Sequence, residues 1–88
     1  LYHAAKIMHE NAEVTVEVQG YSDNIGSEKN NLKMSQMRAD AVKSYLVARG
    51  ISENRVSSAG YGQANPIGDN KDAAGRVMNR RIEFKVFK

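Results

Sequence analysis

The chain has no cysteine and a single proline, Pro66, in its 88 residues. Without cysteine it forms no disulfide and offers no thiolate to a metal, although this leaves the cellular compartment open. No apolar run approaches the ~20 residues of a membrane-spanning helix, and no charged-then-apolar leader opens the sequence. Charge of one sign is not in large excess. Thirteen Lys and Arg against ten Asp and Glu leave +3, which permits an anionic partner but does not by itself argue for nucleic acid. Catalytic groupings are missing as well: the acids are scattered, and neither His3 nor His9 has an obvious partner. Those two histidines lie six apart on a helix and do not share a face, so they make no metal pair. "GYGQANP" is no phosphate loop, because no Gly-Lys-Ser/Thr follows it. "SDNIGSEKN" lacks the alternating acids and closing glutamate of a calcium loop. These absences leave a binding module, not an enzyme, with no cofactor or metal implied.

What is present fits one globular domain. The chain is 41% apolar and 26% charged, and a domain of this size buries only about 60% of the surface its unfolded chain exposes. Residues 1–11 place Leu1, Ala4, Ala5 and Met8 on one helical face. "AEVTVEVQG" alternates strictly, with Val14, Val16 and Val18 on one side, which is a half-buried strand ending near Gln19. A polar loop runs from Gly20 to about Asn30. A helix then starts near Asn31, with Met34, Met37, Ala41, Tyr45 and Leu46 as its apolar face and Gly50 as its stop. A second strand is expected near Arg55–Gly60, and a short helix near Asp72–Met78. A last strand, "RRIEFKVF", should turn Ile82, Phe84 and Val86 inward. Met34, Met37 and Met78 read as core filling. Strands alternating with helices predict an α+β domain whose sheet is covered by helices on one face.

Asp23 stands at the carboxyl end of the first strand, and Arg38 about two turns into the helix that follows. A helix packed back on its strand can bring the two side chains to one rim. There they would suit a zwitterion: the acid takes an ammonium and the guanidinium forks onto a carboxylate. Spacing alone favours a plainer arrangement, a salt bridge between the two or no contact at all. Local chemistry likewise favours Asn31 as a helix cap. Arg76, Arg80 and Arg81 form a second patch, the basis of an alternative reading as a basic protein- or nucleic-acid-interaction surface. Interleaved aromatics, which a nucleic-acid surface would want, are absent there. Arg80 and Arg81 are neighbours at a strand start and point to opposite faces.

Four motifs in order, G-x-S-D-N-x-G, N-x-x-M-S-x-x-R-A, G-Y-G-x-x-x-P and G-R-x-x-N-R-R-I-E, resemble the OmpA-like peptidoglycan-binding domain. The match covers the chain from about Ala12 to its end. The resemblance implies a β-α-β-α-β sandwich with a mixed sheet. It implies a ligand too, the stem peptide of peptidoglycan gripped at its diaminopimelate residue. By the same resemblance Asp23 and Arg38 hold the free amino-acid end of that residue, with Asn31 at the helix start and Arg80 at the rim. The backbone after the aspartate corresponds to Asn24 and Ile25. It further implies a periplasmic location and a parent protein attached to the outer membrane through a segment outside this sequence. Tyr21 departs from the family's usual histidine, while Ser22 keeps the hydroxyl of its threonine.

The family domain opens with a strand before the first helix, and "LYHAAKIMHE" begins instead like the inside of a helix with no cap. Residues 1–88 are therefore expected to be a single, N-terminally incomplete domain from a longer protein. A strand vacant in this way exposes backbone groups. One swapped or borrowed from a second copy, giving a homodimer, would satisfy them.

Overall fold

A computed structural model describes residues 2–88 of the chain. It is an α+β domain whose elements run α1 (Tyr2–Glu10), β1 (Thr15–Tyr21), α2 (Glu28–Ala48), a 3-10 turn (Glu53–Arg55), β2 (Val56–Gly62), α3 (Ala73–Asn79) and β3 (Ile82–Phe87). The strands order as β2-β1-β3. β1 pairs parallel with β2 from Val16↔Val56 to Gly20↔Gly60, and antiparallel with β3 from Thr15↔Phe87 to Gly20↔Ile82. The mixed sheet follows from connectivity: two parallel strands need a crossover, and α2 supplies it.

The valine alternation places Val14, Val16 and Val18 in the core, with Ala5 and Met8 from α1, Ala39 and Leu46 from α2, and Ile51 and Val56. Leu1, expected on the same face of the first helix, lies outside the described residues. Arg55 ties these layers together. Its guanidinium donates to the carbonyls of Met8, Asn11 and Val14 at 2.8–3.0 Å, fastening the turn after α1 to the start of β2.

Of the apolar stripe expected on α2, only its C-terminal part, Tyr45 and Leu46, meets the core. Met34 and Met37 are 50% and 60% exposed, Ala41 is exposed, and Met78 on α3 is 53% exposed. The buried residues of α2 are Asn31, Ser35, Ala39 and Leu46. Small side chains prevail because the helix lies very close to the strands beneath it. A β-carbon at Gly20 would land on the Ser35 carbonyl, and one at Gly60 would strike the Gln36 backbone. Ser35 Oγ accepts from the Gly62 N–H at 2.9 Å and donates to the Leu32 carbonyl, so the contact is hydrogen-bonded as well as close. Gln36 Oε1 accepts from the Gly60 N–H at 2.8 Å on the same strand.

Ile82, Phe84 and Val86 do face the helix side of the sheet, pairing with Gly20, Val18 and Val16. Only Ile82 is packed against the core; Phe84 and Val86 line an open apolar groove beside Ala4, Ile7 and Met8. On the opposite face Tyr21 lies between the Arg81 guanidinium, 3.9 Å from its ring centre, and the stacked ring of Tyr61 at 5.5 Å. Below them Gln19 and Tyr61 donate to the Glu17 carboxylate, which holds its pKa below the ordinary value.

Two outcomes follow. Gly20→Ala should lower stability by about 2 kcal/mol or more, because α2 has to lift from the sheet. That is a fall in Tm on the order of 10 °C by circular dichroism; an unchanged Tm would contradict the close approach. Because the folded pKa of Glu17 lies below its unfolded value of about 4.3, its bonds add stability above that pH, and the gain is lost as pH falls through the folded value. Glu17→Gln should therefore show a shallower decline in Tm than the parent chain between about pH 5 and about pH 3. Parallel declines would count against it.

Candidate functional site

At the carboxyl end of β1 the chain leaves the sheet through three buried residues, Tyr21, Ser22 and Asp23. The exit is fixed by backbone bonds, with the Tyr21 N–H donating to the Arg81 carbonyl at 2.9 Å and the Ser22 N–H to the Gly62 carbonyl at 2.8 Å. Ser22 Oγ donates to the Asp23 carbonyl at 2.8 Å. Asp23 is thus held at 6% exposure, and a carboxylate so buried needs partners. It has two: Oδ1 accepts from the Ile25 N–H at 3.0 Å, and Oδ2 accepts from Arg80 Nη1 at 3.1 Å.

The helix above begins earlier than its apolar pattern indicated. Ser27, not Asn31, is the N-cap of α2, accepting from the Asn30 N–H at 3.1 Å. Asn31 is released from capping and buried one turn inside. Its Nδ2 donates to the Asp23 carbonyl at 3.3 Å and to Gln63 at 3.5 Å, joining helix, loop and β2. Met34 and Arg38 follow at helical spacing, on the cleft side of the buried Ser35–Ala39 stripe.

The third wall is α3, positioned by Asn79, which is fully buried. Asn79 Oδ1 accepts from the Ile67 and Gly68 N–H groups at 2.7 and 2.8 Å, while its Nδ2 donates to the Gly68 carbonyl and to Asn70 Oδ1. Asp72 caps the helix, accepting from the Ala74 and Gly75 N–H groups. Gly75 lets the loop lie against the helix, since a β-carbon there would meet the backbone of Asp69. Arg76 and Arg80, four residues apart, thereby line one cleft with Asp23, and Arg80 reaches its carboxylate.

These walls enclose an open cleft of roughly 250 Å³ lined by Ser22, Asp23, Ile25, Asn31, Met34, Arg38, Arg76 and Arg80. Five of the six residues singled out from the sequence meet here: Asp23, Ile25, Asn31, Arg38 and Arg80. Asn24 is exposed on the adjoining turn and does not line the cleft. Asp23 and Arg38 line the same cleft but form no salt bridge with each other, one of the two plain arrangements that spacing left open. Asp23 pairs instead with Arg80, 57 residues away. Among the described residues Arg38 has no acidic partner and no hydrogen bond, so its guanidinium is open to a ligand. The three arginines of the second patch do not form one surface. Arg76 and Arg80 join Arg38 in the cleft, whereas Arg81 lies against Tyr21 and donates to the Asn65 carbonyl and to Glu83. Asn79 and Ser27 were not anticipated as organisers of the site. The available signal for Ser27 was a serine directly before a glutamate at a helix start.

Chemically the cleft offers one anchored carboxylate, one unpaired guanidinium and two further guanidinium groups along one wall. That arrangement suits a ligand carrying an ammonium and a carboxylate side by side.

The chain is 44% identical over 82 residues to outer membrane porin F of Pseudomonas fluorescens, covering 93% of this chain and 25% of that protein. It is 45% identical over 71 residues to the peptidoglycan-binding protein ArfA of Mycobacterium tuberculosis, covering 81% and 22%. It therefore spans about a quarter of the length of these curated relatives. Among solved structures, the peptidoglycan-associated lipoprotein from Burkholderia pseudomallei superposes with a TM-score of 0.91 at 25% identity, covering 97% of this chain and 72% of that one. The OmpA family matches residues 1–80. With that match, the ordered motifs and the mixed sheet in agreement, the chain belongs to the OmpA family.

Proposed function

We propose that the cleft binds peptidoglycan non-covalently, gripping the stem peptide at its diaminopimelate residue, and that the domain tethers an envelope protein to the cell wall from the periplasm. The observation that carries this reading is the pairing, within one cleft, of a buried, pre-oriented Asp23 with an unpartnered Arg38. Asp23 receives the ammonium of the diaminopimelate side chain, and Arg38 forks onto the neighbouring carboxylate. Asn31 holds the Asp23 loop against α2, and Arg80 holds the acid in orientation until the ligand ammonium shares it. The turn at Asn24 and Ile25 closes the near side. The likeness to ArfA, a peptidoglycan-binding protein, and to the peptidoglycan-associated lipoprotein supports the ligand class. The parent protein's attachment to the outer membrane belongs to the same proposal. No described helix is long and apolar enough to cross a membrane. In this reading the free edge of β3, with the apolar groove beside it, is where the family's leading strand would add.

A basic-surface function would need Arg76, Arg80 and Arg81 together, and the turn of Arg81 to the opposite face removes that patch. Binding here is a matter of geometry at one cleft and not of diffuse charge.

Asp23→Ala and Arg38→Ala should each abolish co-sedimentation with purified peptidoglycan. Truncating one partner of a desolvated charge pair costs about 2–5 kcal/mol. Arg38 is exposed and unpaired, so its alanine variant should melt close to the parent chain. Arg38→Lys should bind weakly, since an ammonium cannot reproduce the two-pronged contact. Free diaminopimelate should displace the wall, whereas Nα-acetyl-lysine amide, which has a side-chain ammonium but no carboxylate beside it, should not. Normal sedimentation of both alanine variants would refute the assignment.

A further inference from the structure

The cleft carries more positive charge than a zwitterion needs. Its lining holds three guanidinium groups, Arg38, Arg76 and Arg80, against one carboxylate, Asp23. A bound ammonium–carboxylate pair adds no net charge, so two positive charges stay uncompensated after it is seated. Arg76 on α3 and Arg80 at its C-cap are four residues apart and line the same cleft, so their like charges repel unless an anion lies between or beside the two. Asp23 answers Arg80 alone.

Arg76 is half-buried and already fixed in place. Its Nη1 donates to the Asn70 carbonyl at 2.9 Å, and Asn70 is itself held by Asn79 Nδ2 at 2.8 Å. A guanidinium has five N–H donors. Among the described residues no other acceptor and no acid meets those of Arg76. A group placed so firmly, lining the cleft with its remaining N–H donors unmet, is built to receive an anion.

We infer that Arg76 recognises a second carboxylate in the same ligand, and that the cleft thereby distinguishes a free acid from its amide. In a stem peptide that second group is the α-carboxylate of the γ-linked glutamate preceding the diaminopimelate residue. The inference rests on the stem-peptide reading of the site and sharpens it. The domain selects a peptide by two acids, one at Arg38 and one at Arg76, with the ammonium between them answered by Asp23. Amidation of the glutamate replaces a charge-assisted contact with a neutral one and leaves the surplus positive charge unrelieved.

The test is calorimetric titration of the domain with three probes: L-alanyl-γ-D-glutamyl-diaminopimelate, the same tripeptide amidated at the glutamate α-carboxyl, and free diaminopimelate. The parent chain should bind the acid about tenfold more tightly than the amide, the loss expected for one charge-assisted bond. Arg76→Gln should bring that ratio to about one, Arg76→Lys should keep part of it, and Arg38→Ala should weaken both tripeptides while preserving the ratio. Melting curves of each variant establish that it is folded. Equal binding of acid and amide by the parent chain, with free diaminopimelate still bound, overturns this inference and leaves the clamp standing. A tenfold ratio retained in Arg76→Gln overturns the assignment to Arg76. Failure of all three probes to bind the parent chain overturns both readings.

Discussion

The distance between α2 and the sheet is the constraint on which the rest of the structure depends. Gly20 and Gly60 are adjacent in the sheet, and neither has room for a single added carbon. Ser35 and Ala39 press into the space they leave, and Ser35 bonds the strand through Gly62. A helix at ordinary distance would carry larger apolar residues on this face and stand higher. Asn31 could not then reach the Asp23 carbonyl, and Arg38 would be carried away from the end of β1. The close contact is thus what turns a strand end and a helix flank into two walls of one cleft.

Electrostatics work within that frame. A carboxylate as buried as Asp23 is costly unless its charge is answered. Arg80 and the Ile25 N–H answer it from two sides, which leaves the acid fixed and the Arg80 head half in solvent. Under the proposed clamp an incoming ammonium would meet a charge already oriented, and pre-organisation of this kind is where affinity is gained. The loop that carries α3 is drawn in by Asn79, so Arg76 and the C-cap Arg80 are placed by a residue that does not line the cleft.

Much of this was legible in the chain itself, and the gaps have physical causes. Period-2 valines identify β1 and its buried face because a pleated strand alternates without exception. The helices and the order of elements follow from equally regular patterns. Leu46 is found by its period, but the rest of the buried face of α2 is not, because it is made of Asn31, Ser35 and Ala39. Hydrophobic periodicity ranks Met34 and Met37 above them, although those two are rim and surface. The start of α2 was read three residues late, since its first turn is polar and Ser27 alone marks it. Phe84 and Val86 point to the expected side, but orientation in a strand does not say what covers it. The Asp23–Arg80 pair was beyond reach, because nothing local links two residues separated by a helix, a strand and a loop.

The central claim is that the cleft between the end of β1 and the flank of α2 is an amino-acid clamp. The most direct measurement is an amide-resolved NMR titration of isotope-labelled domain with meso-diaminopimelate, and with Nα-acetyl-lysine amide, whose one free charge is a side-chain ammonium, as the control. The account predicts saturable shifts at the amides of Asp23, Ile25, Asn31 and Arg38, none on the outer sheet face around Glu17 and Tyr61, and no response to the blocked lysine. Shifts that cluster on the outer face, or a matching response to both compounds, would contradict it.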